Sequence, residues 1–542
     1  MSNPERPTLA EIAGPALILM LVFLSVLVFT NPQGEFPLND DWSYGQAVQN
    51  LVQNHEYRLT NWTSMPLLTQ VLWGALFSIP AGFSHFALRL STLVLSLAGI
   101  LLLLRLVHCG GTRRPEVLLL GPLCLLFNPV YLDLSHTFMT DVPYLTLTMG
   151  SVLLLVLGTD RDNKLMLALG MCAAVLATLL RQTGVLIPLA YGIACLTGRR
   201  VKAGGSLLAA GFLIVTVVAL VVYTQWLTVT GRLPTGFHAQ QSQVTSVLVS
   251  GLPAVARQVT VSLLTTFTYL GLFALPLGLL FTAGARWRRL FAFLGVSAAL
   301  LGLTQVLHIG FPGNILSDRG VGPFTLAHTE QFSAFTGSAA SKAVLGLLSL
   351  VGGALLLETL VRSARHFRTS WPTALCLSLA GLSFLSLSLV HQFDRYMLIY
   401  LPLIVVAAAA EFYRNPPRRF AVVAAYAVLL AYAGFSVGAV HDYLSWNRTR
   451  WLAIRHLMSD LSVPADRLDG GFEFNGLYTY AEEYVRVPGK SPWWVKDDEY
   501  VIAYDVLPGY DVLQVYPVKS WLPSGIRSIQ VLRRSARTPP GG

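Results

Sequence analysis

The sequence predicts an α-helical polytopic membrane protein with about thirteen spanning helices and a small C-terminal extracytoplasmic α/β domain. Three observations carry this expectation. Of 542 residues, 54% are hydrophobic and 12% are charged, about half the charged share of a soluble domain. Apolar stretches long enough to cross about 30 Å of hydrocarbon recur from Pro15 to about Val440. Beyond that point the composition turns polar, with short alternating runs in place of long apolar ones.

The first stretch, Pro15 to Thr30, follows a polar start with a single Arg6 and has neither a basic leader nor a small-x-small cleavage site. It reads as a retained first helix. The remaining spans fall near 87–107, 116–131, 141–158, 165–180, 184–198, 205–223, 261–282, 289–307, 342–361, 372–390, 396–411 and 420–440. With the tail after the last span left aside, alternate connections then collect most of the arginine and lysine, among them Arg6, Arg113, Arg114, Arg161, Arg199, Arg286, Arg365 and Arg418. The positive-inside rule therefore predicts a cytoplasmic N-terminus, and an odd span count an outward tail. The formal net charge of +10 serves orientation in the bilayer, so no nucleic-acid partner is inferred. The five cysteines, at 109, 124, 172, 195 and 376, lie in or beside spans, which argues against a disulfide framework.

The loop at 31–86 is the most informative segment. It contains Asn39-Asp40-Asp41-Trp42-Ser43-Tyr44, after which Tyr44, Ala47, Val48 and Leu51 recur at helical spacing. That spacing predicts an amphipathic helix on the outer membrane surface, capped by Asn39 or Asp40. Asp40 and Asp41 then stand at the edge of the bilayer, either as caps or as functional carboxylates. A second acid, Asp141, opens the fourth span in Phe138-Met139-Thr140-Asp141-Val142-Pro143, on the same expected face. Cations complete the set: Arg181 in the turn Leu180-Arg181-Gln182-Thr183-Gly184, Arg395 in Asp394-Arg395-Tyr396, and Arg58, with His136 nearby. Ionisable groups at a membrane edge are costly and mark function, although snorkelling at the interface also accounts for single arginines.

Carboxylates and arginines gathered at one membrane edge suit glycosyl transfer from a lipid-phosphate sugar. A carboxylate takes the proton of an acceptor hydroxyl, and arginines, or a metal held by carboxylates, stabilise the departing phosphate. The four segments just quoted resemble the GT-C glycosyltransferases, near the bacterial family-39 branch related to protein O-mannosyltransferases and the lipid A aminoarabinose transferase.

That resemblance implies an enzyme of the bacterial inner membrane that uses a polyprenyl-phosphate sugar donor. Its acceptor is a lipid, glycan or protein hydroxyl, and transfer inverts the anomeric centre. It places Asp40 at the first acidic position, taken as catalytic, with Asp41 beside it where many members carry Glu. Asp141, Arg181, Arg58 and Arg395 are expected at the donor phosphate or a metal. Trp42, Tyr44 and His136 are expected at the acceptor or sugar. If a divalent cation such as magnesium or manganese takes part, Asp40 and Asp141 are its expected ligands. One departure stands out: Thr63-Ser64-Met65-Pro66 lacks the lysine of the Lys-Pro-Pro segment in the aminoarabinose branch. Either Arg58 or Arg181 then supplies the charge, or the donor is held differently, which argues against aminoarabinose as the sugar. A transporter or flippase of a lipid-linked sugar is the competing class. It is expected to carry ionisable or helix-breaking residues at mid-membrane.

The chain thus divides into a membrane domain, 1–440, an outer α/β domain, 441–532, and a disordered tail, 533–542. In the outer domain Arg450 to Leu461 predicts a helix, and Tyr500 to Tyr504 and Gln514 to Val518 predict strands. Its segment Gly470-Gly471-Phe472-Glu473-Phe474-Asn475-Gly476 also resembles bacterial members of the family. Trp493 and Trp494 suit either sugar stacking or anchoring at the interface.

Overall fold

The computed structural model describes residues 10–80, 82–197, 205–282, 286–309, 313–317, 320–327, 339–523 and 526–536. Arg6, Arg199, Arg200, Lys202 and the end of the predicted tail, 537–542, lie outside the described residues.

Helices dominate. In chain order they are α1 (Ala10–Thr30), α2 (Asp41–Asn54), α3 (Leu68–Ser78), α4 (His85–Cys109), α5 (Pro115–Leu126), α6 (Pro129–Ser135), α7 (Asp141–Arg161), α8 (Lys164–Thr178) and α9 (Leu186–Thr197). There follow α10 (Gly205–Val229), α11 (Ala239–Val249), α12 (Leu252–Phe273), α13 (Leu275–Leu279), α14 (Trp287–Val306), α15 (Ala339–Ala364), α16 (Trp371–Leu387), α17 (Tyr400–Arg414), α18 (Arg419–Arg455) and α19 (Phe472–Thr479).

Each of the thirteen expected spans coincides with a helix or a bent pair of helices. Among the described residues eight helices are long and apolar enough to cross a membrane, and the pairs α5–α6 and α12–α13 raise that to ten. The others, α8, α16 and the stretch Gln182–Thr197, are apolar but shorter. The 65° bend between α5 and α6 has a local cause. Pro129 cannot continue the hydrogen-bond ladder, and the Asn128 side chain accepts from the amides of Val130 and Tyr131 to start a new helix. Pro276 sits at the corresponding 68° break between α12 and α13.

Two sequence expectations change. Helix α2 does form, but its apolar face, Tyr44, Ala47 and Val48, is buried against α3 and α4, not laid on lipid. The partner, α3, is an eleven-residue apolar helix inside the first loop, too short to be read as a span. At the other end, α18 does not stop at Val440. It runs unbroken for 37 residues, about 55 Å, so the apolar bundle and the C-terminal part share one rod.

On that rod sits a four-stranded sheet of β3 (Leu468–Asp469), β4 (Tyr500–Ala503), β5 (Tyr510–Pro517) and β6 (Ser528–Arg534), in the order β3-β4-β6-β5. A separate two-stranded pair, Leu316–Ser317 with Gly320–Val321, precedes it in the chain. Strand β3 runs parallel to β4, and β6 is antiparallel to both β4 and β5. Because β6 includes Arg533 and Arg534, the ordered domain extends past the boundary predicted at 532.

The tail docks through Glu473, the acid of a buried ion pair. Arg450 of α18 and Glu473 of α19 are both fully buried, with Nη1 and Oε2 2.8 Å apart. Glu473 also accepts from the Asn39 amide at 3.0 Å and from the Thr325 hydroxyl at 2.7 Å. Gly476 is required by this contact, since a Cβ there would run into the Trp42 indole. Removing one partner of such a pair strands a charge in the interior. Glu473→Ala is therefore expected to lower unfolding stability in detergent by about 3–5 kcal/mol. Arg450→Met combined with Glu473→Leu is expected to recover part of that loss in the same denaturation assay.

Candidate active site

The first loop is shaped before its acids can act. Arg89 of α4 is 1% exposed, yet its guanidinium is satisfied entirely by backbone carbonyls. It donates to Pro32 (2.7 Å), Gly34 (3.0 Å), Phe36 (2.9 Å) and His136 (2.9 Å). Glu35 in the same loop accepts from the Ser84 hydroxyl and the His85 amide, both at 2.6 Å, closing the N-terminus of α4. Asn39 then takes a left-handed backbone, φ 56°, a conformation asparagine tolerates better than most residues.

The two adjacent acids have different surroundings. Asp40 occupies the N-cap position of α2, but its side chain makes no capping hydrogen bond. The amides of Ser43 and Tyr44 are taken by its backbone carbonyl instead. Its carboxylate accepts from Trp62 Nε1 at 2.9 Å and lies 4.0 Å from Arg395 Nη1. Burial pushes its pKa above the ordinary carboxylate range, opposed by Arg395 and by the Trp62 hydrogen bond. Asp41, by contrast, faces the protein. Its oxygens accept from the amides of Phe138 (2.8 Å) and Leu38 (3.3 Å), and burial pushes its carboxyl up to about 8 despite those donors. It links the first loop to the turn that carries Asp141.

Asp141, in the first turn of α7, pairs with Arg181 Nη1 at 2.6 Å, while its second oxygen is buried without a partner. The Arg181 guanidinium sits over the rings of Tyr144 (5.7 Å) and Tyr396 (5.6 Å). Arg395, in the 3-10 turn Asp394–Ile399 before α17, has Nε and Nη1 buried with no hydrogen-bond partner among the described residues. Its neighbour Asp394 supports the turn by accepting from the amides of Ile315 (2.9 Å), Leu316 (2.6 Å) and Arg395 itself (2.7 Å).

Asp141, Arg181 and Arg395 share one cleft with Tyr144, Tyr396, Gln182 and Gln240. Met65, Leu145, Leu387, Leu398 and Ile399 form its apolar lining. Asp40 stands beside this cleft through Arg395, close enough to Asp141 for the two carboxylates to repel. Tyr44 is buried within the fields of all four charges, Asp40, Arg395, Arg181 and Asp141. Burial raises its phenol well above the ordinary value, with the Asp40 charge acting in the same direction.

Three other predicted contacts stand apart. Trp42 is fully buried among Trp62, Phe472, Tyr480 and Trp494, so it braces the tail against the loop and does not face the cleft. His136 is also fully buried and has both ring nitrogens engaged, by Thr30 and by the Leu132 carbonyl, each at 2.8 Å. Arg58 is exposed and makes no ion pair with the cluster among the described residues. In its place Arg181 lies beside the Thr63–Pro66 segment, where Met65 lines the cleft and the Ser64 carbonyl accepts from Gln182 at 3.2 Å.

The expected metal ligands do not fit a cation in this arrangement. Among the described residues no three His, Cys, Asp or Glu side chains come together to hold one. Asp40 and Asp141 are each already matched by an arginine. Sequence reasoning missed Trp62 and Glu473 as site residues. Nothing in the local pattern of Asn61-Trp62-Thr63 marks the indole as a carboxylate donor. The lone acid between two phenylalanines in Phe472-Glu473-Phe474 was the available signal for a buried charge.

The chain matches no family model and no curated protein sequence. Among solved structures it is similar to ArnT from Cupriavidus metallidurans bound to undecaprenyl phosphate, at 12% identity over 97% of this chain and 99% of that one, with a TM-score of 0.49. It is similar to an oligosaccharyltransferase from Archaeoglobus fulgidus tethered with an acceptor peptide, at 14% identity over 88% and 61% of the two chains, TM-score 0.41. It is also similar to the arabinosyltransferase EmbB from Mycobacterium smegmatis, at 15% identity over 85% and 44%, TM-score 0.36. The last two are by name sugar-transferring enzymes.

Proposed function

We propose that this protein is an inverting membrane glycosyltransferase that moves a sugar from a polyprenyl-phosphate donor to an acceptor hydroxyl on the extracytoplasmic side. One observation carries the reading: an Asp40 carboxylate free of the capping role stands beside Arg395, whose buried Nε and Nη1 have no hydrogen-bond partner among the described residues, at a cleft that also holds Asp141 and Arg181. Buried guanidinium donors without acceptors are uncommon, and a phosphate oxygen is the acceptor that fits them best. The apolar lining suits the first units of a lipid chain.

The chemistry is a single displacement. The acceptor oxygen attacks the anomeric carbon as its proton passes to Asp40, and the bond from that carbon to the phosphate oxygen breaks. Attack opposite the leaving group inverts the centre. The phosphate leaves with the bonding pair, and Arg395 and Arg181 stabilise the added charge. It is a good leaving group, so no separate general acid is required. Asp141 holds Arg181 in place, and Asp41 is a positioning residue that fixes the loop to the Asp141 turn. The charges of the cleft come from helix starts and turns at one end of the bundle, not from helix middles, which favours this reading over a transporter.

Three outcomes test the reading. With polyprenyl-phosphate sugars supplied to purified protein, Asp40→Asn is expected to cut release of polyprenyl phosphate at least about 100-fold with thermal stability kept. Wild-type-like turnover in that variant rules out Asp40 as the base. Because the base must be ionised, turnover is expected to fall as pH drops through the raised Asp40 pKa. The acid limb then sits above the ordinary carboxylate value of about 3.9, and a limb at or below that value contradicts the assignment. Arg395→Gln is expected to lower kcat by about 100-fold, with partial recovery in Arg395→Lys. Equal kcat in all three proteins removes Arg395 from the leaving-group side.

A further inference from the structure

A second recess lies at the opposite end of the bundle. From Arg395 to Arg418 the chain climbs the length of α17, and at 1.5 Å per residue that separates the two sites by about 30 Å. Five arginines line the recess, Arg286, Arg289, Arg362, Arg365 and Arg418, with Glu411 and Asn415. They come from the start of α14, the end of α15, the end of α17 and the start of α18.

Two of the five are neutralised in place. Arg362 Nε donates to Glu411 at 2.8 Å, and Glu411 also accepts from His366 (2.7 Å) and Asn415 (3.0 Å). Arg289 Nε donates to Glu358 at 2.6 Å. Arg286, Arg365 and Arg418 are exposed, and their side chains make no ion pair or hydrogen bond among the described residues. Arg286 and Arg418 also stand at the N-caps of α14 and α18, neither of which has a side-chain cap. Free helix N-termini add positive potential there.

Orientation in the membrane accounts for basic connections, but it asks only for their sign. It does not ask that three unpaired arginines and two uncapped helix starts converge on one recess, where like charges repel. A bound anion removes that repulsion. The surroundings indicate where the anion comes from. Trp287 is 73% exposed and Phe420 82% exposed, each beside one of the N-cap arginines. An aromatic ring next to arginine at a helix end is the pattern of a membrane interface, and basic pockets between spanning helices there hold lipid head groups.

We propose that this recess binds the phosphate head group of an anionic membrane phospholipid, with its acyl chains against the apolar flanks of α14 and α18. The test uses the full chain in nanodiscs of phosphatidylcholine, with or without phosphatidylglycerol. The recess variant is Arg365→Gln with Arg418→Gln. The control is Arg114→Gln with Arg161→Gln, which removes the same charge outside the recess. Normal unfolding of both in phosphatidylcholine establishes that they fold. Phosphatidylglycerol is expected to raise the Tm of wild type and control but not of the recess variant. Co-purified phosphatidylglycerol, counted by mass spectrometry, is expected to bind the recess variant about 30-fold more weakly. Equal losses in both variants, or none in either, overturn the proposal. So does a Tm rise of the same size from inorganic phosphate alone in detergent, which identifies a soluble anion as the occupant.

Discussion

A guanidinium placed where water cannot reach it governs the geometry of the first loop. Arg89 projects from α4 into a ring of carbonyls contributed by Pro32, Gly34, Phe36 and His136. Buried carbonyls need donors, and a buried cation needs acceptors, so the loop and the arginine satisfy each other. The arrangement joins the end of α1, the acidic loop and the turn before α7. Once those three are fixed, Asp40 and the Asp141 turn come into one neighbourhood without either acid having to organise the backbone.

The division of labour between Asp40 and Asp41 follows from that fixed backbone. Helix geometry turns successive side chains about 100° apart, so two adjacent carboxylates at a helix start cannot share one environment. Asp41 is turned inward, where the amides of Phe138 and of Leu38 in its own loop donate to its oxygens. Asp40 is turned toward Trp62 and Arg395. A carboxylate that keeps one arginine at 4.0 Å and stays outside the capping role has capacity left for a ligand.

Much of this was legible in the sequence, for identifiable reasons. Hydropathy alone located the helices, because hydrocarbon thickness imposes a characteristic length, although three of the thirteen fall short of that length among the described residues. The order and common face of Asp40, Asp141, Arg181 and Arg395 were legible because topology converts position along the chain into a side of the membrane. What topology cannot convert is direction. Trp42 and His136 occupy the right segments but point into packing, and Arg58 lies on the loop's exposed side. The docking of Glu473 on Asn39 joins residues more than four hundred positions apart, a pairing that no local periodicity encodes. The short helix α3 escaped notice because its eleven residues fall below the length that hydropathy recognises.

The continuity of α18 and the seat of α19 have a practical consequence for anyone who wishes to dissect the molecule. The C-terminal portion is not a detachable module. Cutting after the last apolar turn leaves the Asn39 amide without its carboxylate acceptor and exposes the Trp42 indole that Gly476 now covers. A truncated membrane half is thus a different object from the same residues in the whole chain, and a chimera that borrows another tail must import a matching acid and a matching glycine.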